Sequence, residues 1–269
     1  MGGKKSCCSY RGPITLTDSE REPSRWPLML RALYTAYSAA IFCLLFIVFF
    51  FPLLIPIFFP GQFKITGVVN RWWAILFFTL SFIPFSVHCR ARLHPRKQYI
   101  FCPNHFSYLD IPALGLNPHP CVFVGKNDME NIPLFGYMYR KLHITVNRLS
   151  LRSRVNTLLQ SMQAIDEGKS LVIFPEGGMV TQNPPHMARF KDGAFRLAIE
   201  KQIAIVPVTL PFNWIILPDR LPLRLRWGKL KVIFHEPIET RGLALHDLDK
   251  LKEMVFNIID HELRQHGGG

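Results

Sequence analysis

An α/β fold is predicted: a mixed, largely parallel sheet flanked by helices and preceded by an N-terminal membrane helical hairpin. Three observations carry it. Two stretches near the N-terminus, Tyr34 to Pro60 and Trp72 to Cys89, contain no Asp, Glu, Lys or Arg. Beyond Arg90 short apolar runs alternate with stretches of helical periodicity, the signature of a parallel sheet with crossover helices. The polar residues able to do chemistry fall directly after those runs, where open α/β sheets place ligand sites. Three segments follow: a disordered basic N-terminus over 1–33, a membrane hairpin over 34–89, and an α/β domain over 90–269.

Residues 1–28 are polar, contain Pro13, Pro23 and Pro27, and have no apolar period. Met1-Gly2-Gly3-Lys4-Lys5-Ser6 fits the short myristoylation pattern with Cys7 and Cys8 as palmitoyl candidates, although chance supplies six-residue matches too. As an unbroken helix the first charge-free stretch would be roughly 35–40 Å long, enough to cross a hydrocarbon core of about 30 Å. It begins too far from the N-terminus and is too long for a cleaved signal peptide. The second stretch is marginal for spanning; Pro52, Pro56, Pro60 and Pro84 leave kinked or re-entrant geometry open beside straight spans, and a buried core helix remains the alternative. Cations crowd outside the pair: Lys4, Lys5, Arg11, Arg21, Arg25 and Arg31 before, and Arg90, Arg92, Arg96 and Lys97 after. Only Lys64 and Arg71 lie between, so both ends are expected on the cytoplasmic face.

In the α/β region the strands predicted are Gln98–Cys102, Cys121–Val124, Ile144–Val146, Leu171–Phe174, Ile203–Leu210 and Leu230–His235. Val155, Leu158, Leu159, Met162 and Ile165 share one face of a helix over Ser150–Glu167, which Gly168 ends. Asp192 is placed to cap a short helix through Ala194, Leu197 and Ala198. Leu248, Leu251, Met254, Val255, Ile258 and Ile259 make a final amphipathic helix.

The net charge of +13 invites a nucleic-acid partner, but no helix-turn-helix, finger or aromatic RNA-binding signature accompanies it. Basic charge beside membrane segments fits anionic headgroups instead. Six cysteines show no paired metal-ligand spacing, and no metal is expected. Cys102, on an apolar run, reads as core rather than as a nucleophile. Trp214, Arg220, Arg224, Arg226, Trp227, Lys229 and Lys231 interleave aromatic and cationic side chains, suiting a membrane interface, a nucleotide-bearing acyl carrier or a protected sheet edge.

Asn104-His105-Phe106-Ser107-Tyr108-Leu109-Asp110 follows the Gln98–Cys102 run. An imidazole held there could take a proton from a hydroxyl, with the carboxylate fixing its tautomer. Lys126, Pro133, Gly136 and Arg148 come next, then Phe174-Pro175-Glu176-Gly177, Arg189-Phe190-Lys191-Asp192-Gly193, and Ile205-Val206-Pro207-Val208. In this order and spacing, over about residues 90–240, the set resembles the glycerolipid acyltransferase family, whose bacterial archetype acylates 1-acyl-glycerol-3-phosphate.

The resemblance implies direct transfer of a fatty acyl group from a thioester carrier to a glycerol hydroxyl, giving phosphatidic acid. It implies His105 as base, oriented by Asp110, and Asn104 as part of the substrate site. Lys126 and Arg148 take the places of the cations on the acceptor's phosphate, while Glu176 and the backbone at Gly177 hold its polyol. The donor is expected to be acyl-CoA or acyl-carrier protein, with no cofactor. The chain departs from the family at one place: a Thr-Arg pair usually follows Glu-Gly, and Gly178 and Met179 stand here. Arg189 or Lys191 must then replace the missing arginine, or the acceptor carries no simple phosphate monoester. Glycerol-3-phosphate, another lysophospholipid or a lyso-aminolipid remain alternative acceptors. A non-catalytic lipid-binding scaffold is the rival of another class, disfavoured by the intact His105, Asp110 and Glu176.

Overall fold

The computed structural model describes residues 10–11, 26–126, 130–147, 150–181 and 183–267. The N-terminal lipidation motif, with Cys7 and Cys8, lies outside them. Two helices open the chain, α1 (Leu28–Phe58) and α2 (Lys64–Leu80), joined by a tight turn at Pro60–Gln62. Strand and helix then alternate: β2 (Phe85–Cys89), β3 (Ile100–Pro103), α3 (Asp110–Leu114), β4 (Cys121–Lys126), α4 (Phe135–Leu142), β5 (Ile144–Val146), α5 (Leu151–Asp166) and β6 (Ser170–Ile173). They continue through α6 (Gly193–Lys201), β7 (Ile205–Thr209), α7 (Asn213–Ile216), β8 (Leu230–Phe234) and α8 (Leu248–Gly267).

β7, β3, β6, β4 and β5 lie side by side in that order and run parallel. β8 joins β7 antiparallel, and β2 joins β8 in parallel. This seven-stranded, mostly parallel sheet gains a two-residue edge strand, β1 (Tyr10–Arg11), antiparallel to β2. Side chains alternate across the sheet, as a strand's period of two requires. Ile100, Cys102, Leu171 and Ile205 enter the core shared with α5, α6 and α8, whereas Phe101, Val172, Val206 and Val208 enter the core on the other face. Burial on both faces explains why these strands read as unbroken apolar runs. Ser150 caps α5, its Oγ accepting from the Ser153 N–H at 3.2 Å. Asp192 stands before α6 but makes no cap; its carboxylate pairs with Lys252 at 2.8 Å.

The N-terminal region corrects the expected segments. α1 starts at Leu28, so residues 28–33 are helical rather than disordered, and Tyr10–Arg11 is strand. The helix starts before the charge-free run because Leu28, Leu30 and Leu33 extend its apolar surface past Arg31. The hairpin ends at Leu80, and Phe85–Cys89, expected inside the second membrane segment, is a sheet strand. One face of α2 is likewise interior. Val69, Ala74, Phe77 and Phe78 are buried, Phe78 packs on Phe85, and Gly67 approaches Pro120 so closely that a Cβ would lie 2.7 Å from its Cα. Its apolar composition reflects a position between α1 and the sheet. Among the described residues, α1 is the one helix long and apolar enough to cross a membrane. Leu44, Ile47, Val48, Phe51, Ile55 and Phe58 recur every three or four residues along its exposed side. Its other side is fixed: Tyr34 and Tyr37 hydroxyls donate to the Ser81 and Leu80 carbonyls at 2.7 and 2.9 Å, and Phe42 packs edge-on against Trp73.

Candidate active site

The site lies at the carboxyl ends of three adjacent parallel strands. β3 delivers Asn104 and His105, β6 delivers Phe174 to Gly177, and β7 delivers Leu210 to Asn213. Parallel pairing brings these loops together although they are about 70 and 105 residues apart in sequence.

Asp110 is fully buried at the start of α3. Its Oδ2 accepts the Phe106 and Ser107 backbone N–H groups at 2.8 and 2.9 Å and lies 2.9 Å from His105 Nδ1. Its Oδ1 accepts the Asn213 side-chain amide at 2.8 Å. Because Oδ2 already acts as acceptor for two N–H groups, the imidazole meets it as a donor, and the proton sits on Nδ1. The unprotonated nitrogen is then Nε2. The imidazole stacks on Phe174 with ring centroids 3.9 Å apart. The His105 N–H donates to Glu176 Oε1 at 2.8 Å, so His105 is fixed through its ring face, one ring nitrogen and its backbone.

Glu176 is 1 % exposed and its other oxygen, Oε2, accepts the Ala188 N–H at 2.9 Å. Burial pushes its pKa up to about 7, against the downward pull of the Ala188 and His105 N–H groups. Both oxygens therefore face backbone, tying the β3, β6 and 188–191 loops together. Asn104, also fully buried, does the same for β3 and β7: its amide donates to the Leu210 carbonyl at 3.2 Å, and its Oδ1 accepts the Leu210 N–H at 2.8 Å. Cys102 is wholly buried and burial raises its thiol pKa far above the ordinary range, which fits core rather than nucleophile.

The cations fall into three groups. Lys126 ends β4, is exposed and pairs in register with Val146; Arg148, two residues further on, lies outside the described residues. Lys191 bonds the Pro175 carbonyl through its backbone N–H at 2.8 Å. Its side chain crosses Gly177 so closely that a Cβ there would stand 2.6 Å from Nζ, and Gly177 has φ of +79°. The positive φ favours glycine, and any Cβ there would push the Lys191 side chain aside. Arg189 is exposed and turned towards α8, where its charge adds to the stronger effect of Lys252 in holding the Asp249 carboxyl low. Of the two candidates for the missing family arginine, Lys191 is the one on the Glu176–Gly177 loop.

Asn213, the Phe174 ring and Ser107, whose hydroxyl donates to the Leu217 carbonyl at 2.7 Å, are the parts that sequence reasoning missed. Phe174 stands inside the recognised tetrapeptide, but nothing local marks Asn213 as Asp110's partner 103 residues away.

The acyltransferase family profile matches residues 84–211, which contain every one of these loops up to Leu210. The chain is 30% identical over 197 residues to a 1-acyl-sn-glycerol-3-phosphate acyltransferase of Chlamydomonas reinhardtii, 72% of this chain and 58% of that protein. It is also 30% identical over 208 residues to the lyso-ornithine lipid O-acyltransferase of Pseudomonas aeruginosa, 71% of this chain and 77% of that protein. In fold it resembles the crystal structure of the 1-acyl-sn-glycerophosphate acyltransferase PlsC from Thermotoga maritima, with a TM-score of 0.71 and 20% identity over 88% of this chain and 96% of that one. This chain belongs to the acyltransferase family. It spans somewhat over half the length of its Chlamydomonas relative.

Proposed function

We propose that the protein transfers a fatty acyl group from an acyl-CoA or acyl-carrier-protein thioester to the free hydroxyl of 1-acyl-glycerol-3-phosphate, forming phosphatidic acid at the cytoplasmic face of a membrane. The observation that carries the reading is the imidazole of His105, anchored at Nδ1 by a buried carboxylate and free to act at Nε2. The acceptor hydroxyl gives its proton to Nε2 while its oxygen bonds to the thioester carbonyl carbon. When the tetrahedral intermediate collapses, the C–S bond breaks and the imidazolium returns the proton to the thiolate, so His105 ends as it began. Asp110 holds the tautomer throughout and favours the transient imidazolium. Glu176 and Asn104 act as positioning residues, since their polar atoms meet backbone. Lys191, together with Lys126 and Arg148, pairs with the acceptor's phosphate. The exposed apolar stripe of α1 supports a membrane anchor, so that a two-tailed product forms beside the bilayer.

A second acceptor class has specific support. Gly178 and Met179 replace the usual Thr-Arg pair, and a lyso-ornithine lipid enzyme is among the relatives. Full-length protein in detergent, given a radiolabelled acyl thioester, should therefore be offered lysophosphatidate, glycerol-3-phosphate, lysophosphatidylcholine and lyso-ornithine lipid in parallel. Labelled phosphatidate as the main product is the expected result. Preferential labelling of the ornithine lipid would replace the acceptor while leaving the transfer chemistry in place.

A further inference from the structure

Arg31, Arg220 and Arg226 lie near one another where the first turns of α1 meet the 217–229 loop, which also carries Arg224. The loop is fixed there: the Leu225 N–H donates to Thr35 Oγ1 at 2.9 Å, and the Trp227 indole N–H donates to the Phe82 carbonyl at 3.0 Å. The Nε groups of Arg31, Arg224 and Arg226 are buried and have no hydrogen-bond partner. None of these three, nor Arg220, forms an ion pair with a described carboxylate, although Asp219 lies in the same loop. Arg226 senses its neighbours: burial first, then the charges of Arg31 and Arg220, lowers its pKa. Three half-buried guanidinium groups whose Nε atoms lack acceptors, with like charge about Arg226, favour an anion at their solvent-facing side.

What surrounds the cluster selects the anion's source. Leu221, beside Arg220, is 90 % exposed; Leu28, Met29 and Leu30 are exposed on the opening turn of α1, and Trp26 just before it in lesser degree. Trp26 packs edge-on against Tyr34, and Tyr37 stacks on Phe82. Aromatic rings with projecting leucines beside arginines are the composition of a membrane–water interface, and water alone offers those leucines nothing.

We propose that Arg31, Arg220, Arg224 and Arg226 bind the phosphate of an anionic phospholipid headgroup, with Leu221 inserted among its acyl chains. The inference rests on the membrane part of the proposed function and not on the identity of the acceptor. Occupancy would bear on the reaction site through two short links. The Leu217 carbonyl, at the start of the loop, accepts the Ser107 hydroxyl, and Asn213, four residues earlier, holds Asp110.

Native mass spectrometry of the full chain released from detergent micelles tests this with phosphatidylglycerol, phosphatidylcholine and coenzyme A as probes. Phosphatidylglycerol should be retained about twenty-fold more strongly than phosphatidylcholine. Arg220→Gln, at an exposed position, should lower that preference about five-fold, and the Arg224→Gln, Arg226→Gln pair should bring it close to parity. Leu221→Ser should weaken lipid retention and leave coenzyme A binding unchanged. Equal retention of the two lipids by the wild type would overturn the proposal, as would an undiminished preference in Arg220→Gln. Displacement of phosphatidylglycerol by coenzyme A, with loss of coenzyme A binding in the same arginine variants, would assign the site to the acyl carrier. No readout depends on acyl transfer, so the acceptor assignment can fail separately.

Discussion

Asp110 Oδ2 serves three N–H groups and Oδ1 a fourth, which is close to the capacity of a carboxylate. A histidine and an aspartate five residues apart are common; an aspartate saturated in this way, holding one ring nitrogen, is not. The sequence carried the pair, and the resemblance gave it a role, but the Asn213 contact could be found only once β7 was laid beside β3. Glu176 makes the same point. A glutamate at a strand end reads as a ligand-facing group, whereas its two oxygens meet the His105 and Ala188 backbones. Its pKa of about 7 in the fold, raised by burial from 4.5, has a definite consequence. The folded state holds this proton more tightly than the unfolded chain does. The stability it confers is complete below pH 4.5 and is lost as pH rises through about 7. Glu176→Gln cannot titrate and also sets an amide N–H against one backbone N–H, a mismatch costing about 1–3 kcal/mol. Thermal melts should show the wild type losing a component of stability between pH 5 and pH 8 that the variant lacks. A wild-type-minus-variant difference that stays constant over this range would show that Glu176 titrates in the ordinary carboxylate range.

At the scale of elements, strand positions were legible because apolar runs bounded by polar residues leave few other readings. Ile144–Val146 is an expected strand found unchanged, and the α5 boundaries moved by one residue at each end. The second apolar stretch was not legible in this way. Composition cannot distinguish a helix face turned to lipid from one packed on protein, and β2 with one face of α2 is the latter. Deletion of residues 1–89 should therefore yield aggregated protein rather than a released soluble domain, because it strips Phe78, Phe85 and Val87 from the core and β2 from five paired positions on β8. A monomeric product with the full chain's helical and strand circular dichroism would contradict that. The Glu176–Gly177 loop carries another prediction. If Lys191 does the work of the missing arginine, Lys191→Ala should raise KM for lysophosphatidate about ten- to a hundred-fold, the worth of one charge-assisted bond, and leave KM for the thioester unchanged. Unchanged acceptor kinetics would point away from a phosphate monoester.

The whole molecule combines a mostly parallel sheet, which gathers three distant loops at the carboxyl ends of its strands, with a long apolar helix that carries an exposed stripe. The 217–229 loop touches both, contacting Thr35 of α1 and Ser107 of the reaction site. Its role could not be read from the sequence, since alternating cations and tryptophans suit a membrane surface, a carrier or a plain sheet edge equally until exposure and pairing are known. The proposed acyl transfer turns on one nitrogen, Nε2 of His105. The decisive measurement is acyl transfer from a labelled thioester to lysophosphatidate by wild type and His105→Ala, both in detergent and both shown to be folded by circular dichroism. Turnover should fall at least about 10²-fold in the variant, the low end for a lost general base, with thermal stability little changed. Turnover within a few-fold of wild type, in a variant that remains folded, would mean that another group takes the proton and that the mechanism proposed here is wrong.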